Sequence, residues 1–195
     1  MRAVIQRVCR AEVTVDGVTV GACGAGLLVL LGIVTDDGPT EAARLAAGIA
    51  RLRIFDNEDG RFDRSVVDVG GEALVVSQFT LASDSGRQKG TRPDFSKAAR
   101  PDVAEPVYER FCEELRGLGV PVSMGAFGAR MEVSLVNDGP VTMYGLRRRP
   151  RSLTRVVLLS SYRISWFDEM GARAPIFVEG TRLLREHRAW WNTVE

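Results

Sequence analysis

Three short stretches hold the side chains of this 195-residue chain that could do chemistry. They are Ser77, Gln78 and Thr80 in SQFTLA (77–82), the glycine-flanked amides of GAFGARM (125–131), and Asn137 in NDGPVT (137–142). Such groups can orient a carbonyl and stabilise a developing oxyanion, but at neutral pH they are poor general bases. The one histidine, His187, lies far along a basic tail, so a Ser–His or Cys–His pair and a histidine-rich zinc site are excluded from the rest of the chain. No GxxxxGK[ST] run is present, and the glycine-rich pieces do not fit a dinucleotide fingerprint. Conventional side-chain catalysis runs short of parts, which directs attention to a nucleophile from the substrate. Each residue also has a plain structural reading. Ser77 and Thr80 could simply satisfy backbone groups at a strand end, and Gly139-Pro140 could be an ordinary turn, since proline removes a ladder donor and glycine weakens a strand.

The elements that would position these residues follow from pattern. AEVTV-DG-VTVG (11–21) predicts a hairpin turning at Asp16-Gly17, and 26–34 predicts a central strand, apolar on both faces. Pro39 and Thr40 open a helix whose Leu45, Ile49 and Leu52 share a face. Residues 56–65 have polar turn chemistry, 72–82 predicts a second buried strand ending in polar residues, and 83–100 predicts a long surface loop. A second helix begins at Pro101, carries the stripe Val107, Phe111, Leu115 and Leu118, and stops at Gly119; strand pattern then runs from Val120 to Tyr144. The fold class is α+β: mostly antiparallel β-sheets, barrel-like, with two packed helices.

Composition is that of an ordinary globular chain, with 45% hydrophobic residues and a net charge of +1. The charge is unevenly spread: residues 1–146 hold 16 Lys and Arg against 20 Asp and Glu, whereas 147–195 hold 10 against 5. A boundary near 146 follows, giving a main domain of 1–146 and a basic C-terminal extension of 147–195. No apolar run is long enough for a membrane helix and no secretion signal opens the chain, so a cytoplasmic protein without membrane partners is expected. Cys9, Cys23 and Cys112 are scattered and odd in number, which fits buried thiols better than a disulfide or zinc framework. No metal and no cofactor are expected.

Taken together and in order, SQFTLA, GAFGARM and NDGPVT resemble the D-aminoacyl-tRNA deacylase family. The resemblance runs from MRAVIQRV to about Tyr144 and takes in KGTRPDFSKAARP and the helix with VYERF. It implies a carboxylic ester hydrolase that releases D-amino acids from tRNA, and glycine mischarged on tRNA-Ala, and it implies a homodimer with active sites at the interface. Ser77, Gln78, Phe79 and Thr80 would form the catalytic loop. The neighbouring 2′-hydroxyl of the tRNA ribose would help to activate water, while Thr80 is also a candidate nucleophile; both roles stay open at this point. Phe127 and Met131 would line the terminal adenine pocket, with Ala126 and Asn137 also binding substrate. Gly139 and Pro140 would form a cis peptide inserted into the partner's site, where backbone carbonyls leave no room for an L side chain. Arg87, Lys89 and Arg92 are the candidates for the tRNA backbone, and no DNA partner is expected. The competing reading is a non-catalytic, dimeric tRNA- or RNA-binding module on the same fold. Nothing in 147–195 resembles the family; a basic arm, a disordered tail and sequence outside the ancestral frame compete, with the last two favoured.

Overall fold

The computed structural model describes residues 1–83 and 92–146 and, beyond them, the backbone of two strands, β9 (Arg155–Leu158) and β10 (Trp166–Phe167). Arg87, Lys89 and most of the C-terminal extension lie outside the described residues. β1 (Arg2–Val15) and β2 (Val18–Cys23) form the expected hairpin, with Asp16 and Gly17 both at positive φ (50° and 78°). Two such residues make the primed turn whose twist suits paired strands.

With β3 at Gly26–Gly32, β6 at Glu72–Ser77, β7 at Val122–Met124 and β8 at Glu132–Leu146, seven strands follow one another in the order β10-β9-β8-β1-β3-β6-β7, with β2 attached to β1. β1 pairs along one edge with β8 (Glu132–Leu146) and along the other with β3 (Gly26–Gly32) and then β2. β3 lies between β1 and β6 (Glu72–Ser77) and is buried almost throughout, as its unbroken apolar run requires. Most pairings are antiparallel, but β3–β6 and β6–β7 (Val122–Met124) are parallel. The reason lies in the connections: α1 (Pro39–Ala50) and α2 (Pro101–Gly117) are the crossovers that parallel neighbours need. At the far side β2 lies against β7, so close that a Cβ on Gly21 would stand 2.4 Å from the Met124 carbonyl oxygen. The sheet thus curls into a near-barrel.

Two cores result, one on each face. Leu27, Val29, Leu31 and Val75 pack with Leu45, Ile49, Phe111 and Leu115 under the helices. Leu28, Leu74 and Val76 turn the other way and pack with Val8, Ala11 and Val13 inside the curl. The expected helix stripes are each too long by one residue. α1 ends at Ala50, so Leu52 packs from the segment behind it, and Leu118 caps α2 with 41% of its surface exposed. The polar stretch 56–65 is more ordered than a turn: β4 (Phe55–Asp56) and β5 (Phe62–Arg64) pair in a small hairpin. Among the described residues no helix is long and apolar enough to cross a membrane.

Candidate active site

The parallel strands end together. The last partners are Leu31 with Ser77 and Val75 with Met124, so the carboxyl ends of β3, β6 and β7 open onto one cleft of about 450 Å³. Crevices at the carboxyl ends of parallel strands are habitual ligand sites. Ser77, Gln78 and Phe79 form one wall of this cleft, and Phe127 and Met131 face it. The segment before α2 completes it: Thr35 N–H donates to the Lys97 carbonyl (3.1 Å) and Ala99 N–H to the Ile33 carbonyl (3.1 Å), which lays Ala98 and Ala99 along the rim.

SQFTLA is not all strand. β6 stops at Ser77, and Phe79–Ala82 wind into a single 3₁₀ turn whose first bond is Leu81 N–H to the Gln78 carbonyl, 3.2 Å. The amides of Phe79 and Thr80 therefore precede the turn's own ladder. Gln78 N–H donates to the Leu31 carbonyl (2.8 Å), and its side-chain Nε2 donates to Thr80 Oγ1 at 2.6 Å. The turn sits tightly on Gly32, where a Cβ would lie 2.8 Å from Leu81 Cβ and 2.9 Å from the Gln78 oxygen. From the start of β1, Arg2 Nη1 donates to the carbonyls of Leu81 and Ser83, the latter at 2.7 Å.

In GAFGARM the Gly125 N–H donates to the Val75 carbonyl (2.9 Å), and Ala129 N–H closes a turn onto the Ala126 carbonyl (3.3 Å) with Gly128 at φ 73°. The buried Tyr108 hydroxyl donates to the same Val75 carbonyl at 2.9 Å, and its ring lies 5.7 Å from that of Phe127. Burial raises the Tyr108 pKa well above its ordinary value, so the phenol stays a donor. Met131 is partly buried against the inner core, with its sulfur 2.9 Å from where a Cβ on Gly125 would stand.

NDGPVT lies elsewhere. Gln6 pairs with Thr142 and Val8 with Asn137, so a single β1 residue, Arg7, faces four on β8, residues 138–141. The excess forms a bulge that carries the Gly139–Pro140 peptide, which is cis, with Gly139 at φ 128°. Asn137 ties its base: Oδ1 accepts from Val141 N–H (2.7 Å) and Nδ2 donates to the Val141 carbonyl and Thr142 Oγ1 (both 3.2 Å). Arg7, only 6% exposed, holds the other side, its Nε reaching the Asp138 carbonyl (3.2 Å) and carboxylate (3.0 Å). Asp138, Gly139 and Pro140 themselves are exposed.

The structure thus gathers Ser77, Gln78, Phe79, Phe127 and Met131 around one cleft and keeps Thr80 attached through Gln78. It leaves Asn137, Gly139 and Pro140 apart from it, puts Ala126 in the turn behind Phe127, and places Arg92 on the exposed surface. No residue lining the cleft is titratable among those described. Arg2, Arg7 and Tyr108 are the supporting residues that motif reasoning passed over. Arg7 had a signal: it continues the inward set Ala3, Ile5 in an alternating strand, where an arginine needs partners.

The sequence pattern of the family described as D-Tyr-tRNA(Tyr) deacylase matches residues 4–145. The chain belongs to this family. Among its relatives, a D-aminoacyl-tRNA deacylase of Roseiflexus castenholzii is 56% identical over 155 residues, covering 78% of this chain and 98% of that protein. One of Ruegeria pomeroyi is 58% identical over 144 residues, covering 74% and 98%. A solved structure titled "c-Myc DNA Unwinding Element Binding Protein" superposes with a TM-score of 0.69 at 42% identity, covering 77% of this chain and all of that one. The chain is accordingly a tRNA-binding hydrolase that deacylates D-aminoacyl-tRNA in translation quality control, and the non-catalytic alternative gives way.

Proposed function

We propose that the chain works as a homodimer in which the Gly139–Pro140 ridge of one protomer closes the cleft of its partner, excluding L-aminoacyl esters while admitting D-aminoacyl-tRNA and glycyl-tRNA mischarged on tRNA-Ala. One observation carries this reading: the two halves of the site are separate within a chain. The cleft holds the SQFTLA residues and no part of the ridge, and the ridge is exposed. The approach to the ridge supports it, since Val133, Leu135 and Val136 are each more than a third exposed, an apolar stretch that a second copy would cover.

The chemistry follows from the parts. The ester carbonyl lies beside the amides of Phe79 and Thr80, which stabilise the oxyanion as it forms. Gln78 Nε2 already donates to Thr80 Oγ1, which makes the hydroxyl a poorer nucleophile and a better-placed donor. Thr80 therefore positions the reacting centre, and water is activated with help from the substrate's own 2′-hydroxyl. The terminal adenine lies between Phe127 and Met131 with Ala126 in the adjoining turn, Asn137 takes part through the ridge whose base it ties, and Arg92 joins Arg87 and Lys89 against tRNA phosphates. The ridge's carbonyls face the α-carbon of the ester. An L side chain meets them, a D side chain points away, and glycine has none. This work belongs in the cytoplasm, where charged tRNA is used.

Mixing variants tests the arrangement. Pro140→Ala alone should hydrolyse both D- and L-tyrosyl-tRNA, and Thr80→Ala alone should be slow on both. In mixed dimers, the intact cleft of the Pro140→Ala protomer is closed by the intact ridge of the Thr80→Ala protomer, so D-selective turnover should return. Mixed dimers as unselective as Pro140→Ala itself would show the ridge acting within its own chain and overturn the proposal.

A further inference from the structure

The ridge is a bulge, and a bulge lacks the ladder bonds that fix an ordinary strand. Side chains must set its position. Asn137 fixes only its base, and the other side rests on Arg7, whose guanidinium is itself held from a third element, the β4–β5 hairpin. Arg7 Nη1 donates to the Ile54 carbonyl at 2.7 Å and to Asp56 Oδ2 at 3.2 Å, and its Cζ stands 5.4 Å from the Phe62 ring centroid. Its Nη2 lies 3.4 Å from where a Cβ on Gly139 would be, so it reaches the ridge directly. The hairpin is well braced for such a task. Asn57 N–H donates to the Arg61 carbonyl (2.8 Å), Asn57 Oδ1 accepts from the amides of Asp59 and Arg61 (3.0 Å each), and Arg53 pairs with Asp63.

We propose that the β4–β5 hairpin sets the position of the Gly139–Pro140 ridge, with Asp56 and Phe62 as positioning residues for stereochemical discrimination that act through Arg7. This rests on the ridge being the filter. A guanidinium is planar and its donors point in fixed directions, so the partners of its far side decide where its near side can bond. With Asp56 on one side and Asp138 on the other, removal of the first lets Arg7 follow the second. A wall that works by exclusion is sensitive to such a shift, while the hydrolytic residues of the cleft, which do not touch Arg7, are not.

The measurement is the ratio of turnover on L- to that on D-tyrosyl-tRNA by the full chain, with thermal midpoints taken alongside. Asp56→Asn and Phe62→Ala should raise the ratio about tenfold, chiefly through kcat on the L substrate, with the D rate kept within about threefold. Asp56→Glu and Phe62→Tyr, which keep the charge and the ring face, should restore most of the discrimination. A lower midpoint with an unchanged ratio in Asp56→Asn and Phe62→Ala would mean that the hairpin supports only the fold, and would overturn the inference while Pro140→Ala still loses selectivity. If Pro140→Ala too keeps full selectivity, the ridge is not the filter and both readings fall.

Discussion

The parallel arm and the open edge of β8, the part before Val141 that has β1 on one side and no described strand on the other, are built on opposite terms. β3 and β6 are covered by helices on one side and by the curl of the sheet on the other, β7 beside them is half-buried, and Leu27, Val29, Leu74 and Val75 are each 1% exposed or less. β8 is open to water over most of its length before Val141, bulged at its centre, and exposes Val133, Leu135 and Val136. The arm is finished by its own chain and presents a cleft; in the proposed dimer the open edge is finished by a second copy and presents a ridge. On the proposed reading, stability and chemistry are concentrated in the arm, and assembly and stereochemical choice at the edge.

The hardest test of that division strikes the arm. Phe111 is fully buried on the inner face of α2, and Phe111→Ala should cost about 3–5 kcal/mol of folding stability, measured by denaturant unfolding. A loss below about 1 kcal/mol would mean that the helical layer is not where the fold is secured. The edge should answer differently. Leu135→Asp or Val136→Asp should leave a folded monomer, lowered in stability by only about 1 kcal/mol because each side chain is already 36–39% exposed, yet lower deacylation about a hundredfold. Sedimentation and turnover on the same sample check it. A monomer of full activity would erase the contrast between the two regions.

How much of this could be seen in the sequence differs along the same line. The arm was legible because its signals are local: an unbroken apolar run for β3, a helix started at Pro39 and another at Pro101, and Asp16-Gly17 for the hairpin beside it. Its parallel pairing was not, because strand direction is decided by which crossover packs where. The edge was legible only as a motif. NDGPVT marked a place, but the four-against-one register that pushes Gly139 and Pro140 out of the sheet depends on the partner strand. Arg7 is the instructive case. Its inward phase with Ala3 and Ile5 was in the pattern, while its partners came from Ile54, Asp56 and Asp138, at distances along the chain that no periodicity reveals. The same holds at the cleft, where SQFTLA was recognisable as a set of residues but its division into strand end and 3₁₀ turn follows from close packing on Gly32.

The smallest effect that still separates the regions is one of pH. Cys112 is fully buried in the arm, and burial pushes its thiol up from 9.0 to about 12, as it also raises Cys23 above its ordinary value. Between those pH values the folded chain holds the Cys112 proton that the unfolded chain has released. Stability must therefore fall as pH rises above about 9, at no more than about 1.4 kcal/mol per pH unit for one such group. Tyr108, raised by the same desolvation, adds to the slope from its own ordinary pKa of 10.0 upward. Cys112→Ala should start from a lower stability at pH 8, since it leaves a small void, yet lose less between pH 9 and 10.5 than the parent. Equal losses would mean that water reaches Cys112 in the native state, which the close packing of the arm does not allow. Tyr144, at the covered end of β8, is raised by burial too and adds to the slope above its ordinary pKa. In the Leu135→Asp monomer the alkaline slope should match that of the parent, because Cys112, Cys23, Tyr108 and Tyr144 are all covered within a single chain.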